Sequence, residues 1–186
     1  IYFGIYPKGK FYVYNTTEPW SIANKNPKEP FVEEGQSRSF AVHAMPADKK
    51  VYFGTVPEYG KLGGILIAYN EKTNQHKSFG EVLEKQSVVS LVSKGKTLVV
   101  GGSVSGGLGV KPERKEAELI IWDTEKDQAL KKFVPVPNAA AITCLINGPD
   151  GHVWGIADGQ LFILDIVAQK VLSVKKLYDY PPLGSH

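Results

Sequence analysis

Short apolar runs of Val, Ile, Tyr and Phe alternate with turns of Gly, Pro, Asn, Asp and Lys along all 186 residues. No long stretch keeps apolar residues at the three-and-four spacing of an amphipathic helix. Twelve prolines and 19 glycines cut the chain into pieces too short for ordinary helices. The pattern predicts an all-β protein.

The runs also recur in order. "IIWDTEKDQ" (120–128) has counterparts in "YVYNTTE" (12–18), "IAYNEKTNQ" (67–75) and "FILDIVAQK" (162–170). Each is a β-branched or aromatic run, then Asn or Asp, then a polar turn, at a spacing of roughly fifty residues. Aligning them yields a unit of four strands, a to d. Strand a is "RSFAVHAM" (38–45), "QSVVSLVS" (86–93) and "AAITCLIN" (140–147). Strand b is "IYFGIY" (1–6), "VYFGTV" (51–56), "LVVGGSV" (98–104) and "VWGIAD" (153–158). Strand c is the segment first quoted. Strand d is the weakest, as in "HKSFGEV", "ALKKFVPV" and "KVLSVKKL".

Four-stranded antiparallel units at this period predict the blades of a β-propeller, because a small sheet with two apolar faces must hide both against neighbours. The expected blades span 1–33, 34–83, 84–136 and 137–178, with a tail over 179–186. The first blade is incomplete, holding b, c and d only. The set therefore belongs to a larger propeller or closes through a second copy of itself. A β-sandwich of unrelated hairpins is the alternative. Gly4, Gly54, Gly101 and Gly155 recur in strand b, which suggests a crowded position that excludes a side chain. Asn15, Asn70, Asp123 and Asp165 end strand c, where each side chain can accept the turn's own amides.

Composition narrows the partners. Twenty-two Lys+Arg against 19 Asp+Glu give a net charge of +3, scattered along the chain, which favours neither nucleic acid nor a membrane. No apolar run approaches the ~18 residues of a membrane span. A single cysteine, Cys144, rules out an internal disulfide and a Cys-based zinc cluster. Within "AAITCLI" it reads as a small buried hydrophobe. No two histidines share a metal-ligand spacing, so no metal or other cofactor is expected. The chain opens at Ile1 inside a strand, and no signal peptide is visible; a processed chain would show none.

"LIIWDTEKDQALKKF" resembles the end of a WD-repeat blade. "LIAYNEKTNQ" and "GPDGHVWGIADGQLFILDIVAQKVL" resemble the blades of bacterial quinoprotein-type and other secreted propellers. The resemblance covers nearly the whole chain as repeats. It implies a propeller and, through the secreted examples, an extracellular or periplasmic setting. The Gly-His pair that precedes strand a in WD-repeat blades is missing, as is the tryptophan-docking pattern of quinoprotein blades. The family stays unassigned.

A propeller scaffold hosts many functions, so the site must come from the loops. The a-to-b and c-to-d connections read as short turns on one face. The b-to-c and d-to-a connections vary: "PEYGKLGG" (57–64), "SGGLGVKPERKEA" (105–117) and the long stretch from Asn15 to Ser37. Arg38 and Gln86 occupy matching positions at the start of strand a, with Ala140 in the third copy. The expected site is a mouth formed by Arg38, His43, Tyr59, Lys61, Gln86 and Arg114. The guanidinium fork and tyrosine suit an acidic or hydroxylated ligand such as a sugar acid. The competing reading pairs Arg38 with Glu33 or Glu34 and leaves the rest as solvated surface. His43, alternating with Phe40 and Val42, reads as a histidine satisfied in the wall.

Other motifs dissolve on inspection. "GKT" (95–97) lacks the first glycine of a phosphate loop, and no helix follows "GGSVSGGLG" (101–109) to bind an anion. Trp20 offers either an exposed stacking surface or a pin for its loop. These features point to a non-catalytic module that binds a small molecule, a carbohydrate or a protein across the loop-rich face. The alternatives are an enzyme acting on acidic polysaccharide and an assembly scaffold.

Overall fold

The computed structural model describes residues 1–46 and 48–179, so the predicted tail lies, from residue 180 onward, outside the described residues. Every regular element among the described residues is a strand. β1 (Tyr2–Ile5), β2 (Lys10–Val13) and β3 (Lys28–Val32) form a three-stranded sheet. Three four-stranded sheets follow. The second holds β4 (Gln36–Met45), β5 (Lys50–Pro57), β6 (Leu66–Asn70) and β7 (Gln75–Ser78). The third holds β8 (Ser87–Lys94), β9 (Thr97–Ser103), β10 (Leu119–Asp123) and β11 (Gln128–Phe133). The fourth holds β12 (Ile142–Asn147), β13 (Val153–Ala157), β14 (Gln160–Asp165) and β15 (Lys170–Lys176). All pairings are antiparallel and sequential.

The core lies between sheets, in three separate layers. Phe11 and Phe31 meet Phe53, Ile67 and Tyr69 between the first and second sheets. Tyr52, Leu66 and Ala68 meet Leu98, Val100 and Trp122 between the second and third. Val99, Leu119 and Ile121 meet Val153, Phe162 and Leu164 between the third and fourth. A strand such as β5 reads as an unbroken apolar run because alternate residues feed two different layers. Serial layers of this kind exclude a two-layer sandwich and match the blades expected from the repeat.

Three devices recur from blade to blade. The residue ending strand c accepts amides of its own turn: Asn70 Oδ1 from Lys72 N–H, and Asp123 Oδ1 from Glu125 N–H, both at 2.9 Å. A lysine of the outer strand reaches the next blade's turn at its left-handed residue. Lys28 Nζ donates to Asn74 Oδ1 at 2.9 Å, Lys77 Nζ to Asp127 Oδ2 at 2.9 Å and Lys131 Nζ to the Gln169 carbonyl at 2.6 Å. Thirdly, each innermost strand carries a bulge, between Ser39 and Ala41, Val88 and Ser90, and Ile142 and Cys144.

That bulge explains the glycines. A Cβ on Gly4 would lie 2.3 Å from Ser39 Cβ, and one on Gly54 would lie 2.4 Å from Val88 Cγ1. On Gly101 it would lie 2.2 Å from Ser90 Oγ of its own blade and 2.9 Å from Ile142 Cγ2 of the next. Each glycine thus faces the first bulge residue of the next blade. The fourth glycine of the sequence alignment does not. Gly54 pairs with Ala41 and Gly101 with Ser90, directly after the bulge, whereas the residue paired with Cys144 is Ile156. Gly155 is one position off and abuts Phe162 of its own sheet. The lysine latch lapses in the same blade, where Ser173, opposite Ile163, stands in its place.

Two further expectations are corrected. Cys144 is exposed, because it sits beside the bulge on the face of β12 that no other sheet among the described residues covers, while Ile142 and Leu145 point into the layer. The long connection in the first blade joins c to d, since β3 forms at Lys28–Val32 inside the stretch assigned to d-to-a. Phe31 fixes β3 there by stacking on Phe11 at 4.5 Å. The excursion over residues 14–27 therefore opens on the plain face. Buried Asn26 staples it, its amide donating to the carbonyls of Asn15, Glu18 and Pro19. Trp20 stacks on Phe3 yet stays 58 % exposed.

Gly54→Val and Gly101→Val should each cost about 1–3 kcal/mol through overpacking against the next blade, read as a lower urea midpoint. Unchanged midpoints in both variants would show that neighbouring blades do not approach this closely.

Candidate functional site

Inner strands β4, β8 and β12 stand side by side and line one edge of the array. Counting from the bulges, Arg38 corresponds to Ser87 and Ala141, and Phe40 corresponds to Val89 and Thr143. These six residues line one cavity of about 230 Å³. The sequence alignment, which matched Arg38 with Gln86 and Ala140, is one residue out of register. In a strand, that shift moves a side chain to the opposite face.

Gln86 accordingly leaves the site. It is fully buried, donates from Nε2 to Glu118 Oε2 at 3.0 Å and accepts the Glu118 N–H at 3.0 Å. It anchors the end of the third blade's b-to-c loop and cannot reach a ligand.

The loops over residues 58–65 and 104–118 join above the inner strands. Gly60 N–H donates to the Leu108 carbonyl at 2.8 Å, and Gly107 N–H to the Lys61 carbonyl at 2.9 Å. A Cβ on Gly106 would sit 2.6 Å from the Lys61 oxygen, and one on Gly107 1.8 Å from the Glu58 oxygen. The glycine-rich run thus exists to let one loop lie on the other. The contact brings Leu108, 71 % exposed, beside Tyr59. Tyr6, from the first blade's b-to-c turn, completes the group, its hydroxyl 2.5 Å from that of Tyr59. Tyr6, Arg38, Tyr59, Gly107 and Leu108 line a cavity of about 290 Å³. The hydrogen bond to Tyr59, reinforced by burial, holds the Tyr6 phenol above the ordinary tyrosine range, while Arg38 opposes the shift.

Arg38 is exposed, and among the described residues it has no carboxylate partner; its guanidinium lies 5.8 Å from the Phe40 ring centroid. Glu33, offered above as its partner, faces His76 at 3.2 Å instead. The remaining candidates scatter. Lys61 is paired with Glu58 at 3.0 Å. Arg114 lies on the far side of the Leu108 loop, between Glu84 at 3.5 Å and Glu118 at 3.6 Å. Only Arg38 and Tyr59 of the expected set converge. Tyr6, Phe40 and Leu108 were missed. The signal for Leu108 was a lone large apolar residue in a glycine-rich loop, and for Tyr6 its place in a turn on the variable face.

His43 lies in the wall, as its alternation with Phe40 and Val42 predicts, and is no part of the mouth. Its Nε2 accepts the Ser93 N–H at 3.1 Å and sits 2.7 Å from Ser93 Oγ. A nitrogen accepting an amide proton cannot carry one itself, so the ring is neutral. Burial likewise depresses its pKa. No group of three or more His, Cys, Asp or Glu suited to a metal occurs among the described residues.

A histidine whose folded pKa is depressed leaves the folded state binding fewer protons than the unfolded chain. Its stability contribution is therefore complete above about pH 6.5 and is lost as the pH falls from there toward the folded value. Urea unfolding at pH 7.5 and pH 5.5 should show the native chain losing more stability than a His43→Gln variant. Parallel pH dependences would mean that His43 is not held neutral.

No family model matches the sequence, and no curated protein matches it. Among solved structures, the chain is similar to one in "Crystal Structure of Mitotic Checkpoint Complex", with a TM-score of 0.50 and 16% identity over 70% of this chain and 36% of that one. It is also similar to "Structure of U3-55K", with a TM-score of 0.53 and 13% identity over 74% of this chain and 38% of that one. The chain thus spans little more than a third of the length of either. At these identities the likeness concerns architecture alone: the four sheets are blades of a β-propeller.

Proposed function

We propose that this chain is a non-catalytic binding module, engaging an acid-bearing target at the mouth formed by Tyr6, Arg38, Tyr59 and Leu108. The observation that carries this reading is the state of the two arginines. Arg114 faces two carboxylates, whereas Arg38 faces none among the described residues and opens into a cavity. A planar guanidinium with its donors unspent suits a carboxylate, which it can hold through two parallel hydrogen bonds. Tyr6 and Tyr59 add flat faces and hydroxyls, and Leu108 adds apolar contact.

Binding is favoured over turnover on acidic polysaccharide. His43, the histidine of the expected mouth, is spent on Ser93 in the wall. Tyr59 hydrogen-bonds another phenol, and the neighbouring Glu58, which lines a cavity with both tyrosines, is paired with Lys61 at 3.0 Å. The target is an acidic ligand, free or displayed on a partner protein.

Screening acidic sugars and acidic peptides by thermal shift should reveal a ligand that raises the melting temperature of the intact chain. Arg38→Ala should abolish the shift and Tyr59→Ala should weaken it by about tenfold in affinity, since each removes a ligand contact from the exposed surface. A stabilising ligand unaffected by either change would place the site elsewhere. Chemical conversion of the ligand would overturn the non-catalytic reading.

A further inference from the structure

The mouth has a neighbour. Beyond the Leu108 ridge lies a cavity of about 920 Å³, between the 104–118 loop and the edge of the fourth blade. The two cavities share Gly106, Gly107 and Leu108, so that loop is a common wall between them. Its lining is mixed: Lys115, Asn138 and Gln160 stand beside the glycine backbone, with Val104, Val110 and Pro112 as apolar surface.

Sorting these groups by what they already hold shows what remains for a ligand. Asp158 accepts the amides of Ala140 and Ala141, Lys176 pairs with Asp179, and Arg114 has its two glutamates. The side chains of Lys115, Asn138 and Gln160 make no hydrogen bond or ion pair with any described residue. Across both cavities the ionised groups left unspent are therefore cations, Arg38 on one side of Leu108 and Lys115 on the other. Between and beyond them stand neutral amides and exposed phenol rings.

We infer that the two cavities form one track for an acidic oligosaccharide, a chain of uronate units that crosses Leu108 and places carboxylates at Arg38 and Lys115. This rests on the mouth reading above and extends it from a single acidic group to a polymer. Side-chain amides present a donor and an acceptor side by side, which suits neighbouring sugar hydroxyls. The rings of Tyr6 and Tyr59, 49 % and 59 % exposed, offer flat faces to a pyranose. An extended acidic peptide would need backbone partners along the loops that cross the track. The loop amides at Gly60 and Gly107 are already committed to each other's loops.

The test is titration calorimetry of the full chain with galacturonate, a galacturonate octamer, a neutral galactose oligomer of equal length and an octamer of L-glutamate. The galacturonate octamer should bind at least about tenfold tighter than the monomer, because the second subsite is engaged at high effective concentration. Lys115→Ala should remove that gain and leave monomer binding unchanged, whereas Arg38→Ala should abolish both. Both positions are exposed, so neither change threatens the fold. Monomer binding that needs Arg38, with no gain from length or no effect of Lys115, would overturn the track and leave the mouth standing. Preference for the glutamate octamer would overturn the sugar assignment. Preference for the neutral oligomer would overturn the charge argument, and failure of all four probes would sink track and acid-binding mouth together.

Discussion

A four-stranded sheet in this chain is apolar on both faces, and it has no means of hiding either by itself. The structure answers by laying strand b of each blade against the bulge of the next blade's inner strand. That approach is so close at Gly54 and Gly101 that a single carbon atom would collide with Val88 or Ile142. The three buried layers, each built from two sheets, all form on the strength of this contact. The lysines at 28, 77 and 131 then tie the outer edges, where solvent screening leaves each bond worth little by itself.

The candidate site is a by-product of the same contact. The bulge fixes which residues of β4, β8 and β12 face the open inner edge, so Arg38 and Phe40 point into a cavity while Gln86 turns into the wall. The loops that roof the cavity are held by backbone bonds between neighbouring blades rather than by their own secondary structure. Their glycines serve the loop-to-loop approach, which is how Leu108 comes to stand beside two tyrosines contributed by other blades.

The fourth blade departs from its predecessors on the face that no other sheet among the described residues covers. Ile156 fills the place that Gly54 and Gly101 keep empty, and Ser173 replaces the latch lysine. Both changes fall where the inner blades engage their successors. This face therefore lacks the two features that join the other blades, and Ile146, 51 % exposed, lies on it with Cys144.

The repeats, the strand order and the Asn and Asp turns were legible in the chain, because each depends on a local rule: alternation, turn chemistry or spacing. The wall position of His43 followed from alternation as well. What the residues could not convey was register across sheets. A one-residue bulge, invisible in composition, moved Gln86 out of the site, exposed Cys144 and put Ile156 where a glycine was expected. The cavity itself needed the fold, since Tyr6, Arg38, Tyr59 and Leu108 are scattered over three blades and meet only when those blades pack. Sequence by itself determined the blades; tertiary structure decided which side chains share a space, because that depends on contacts between segments far apart in the chain.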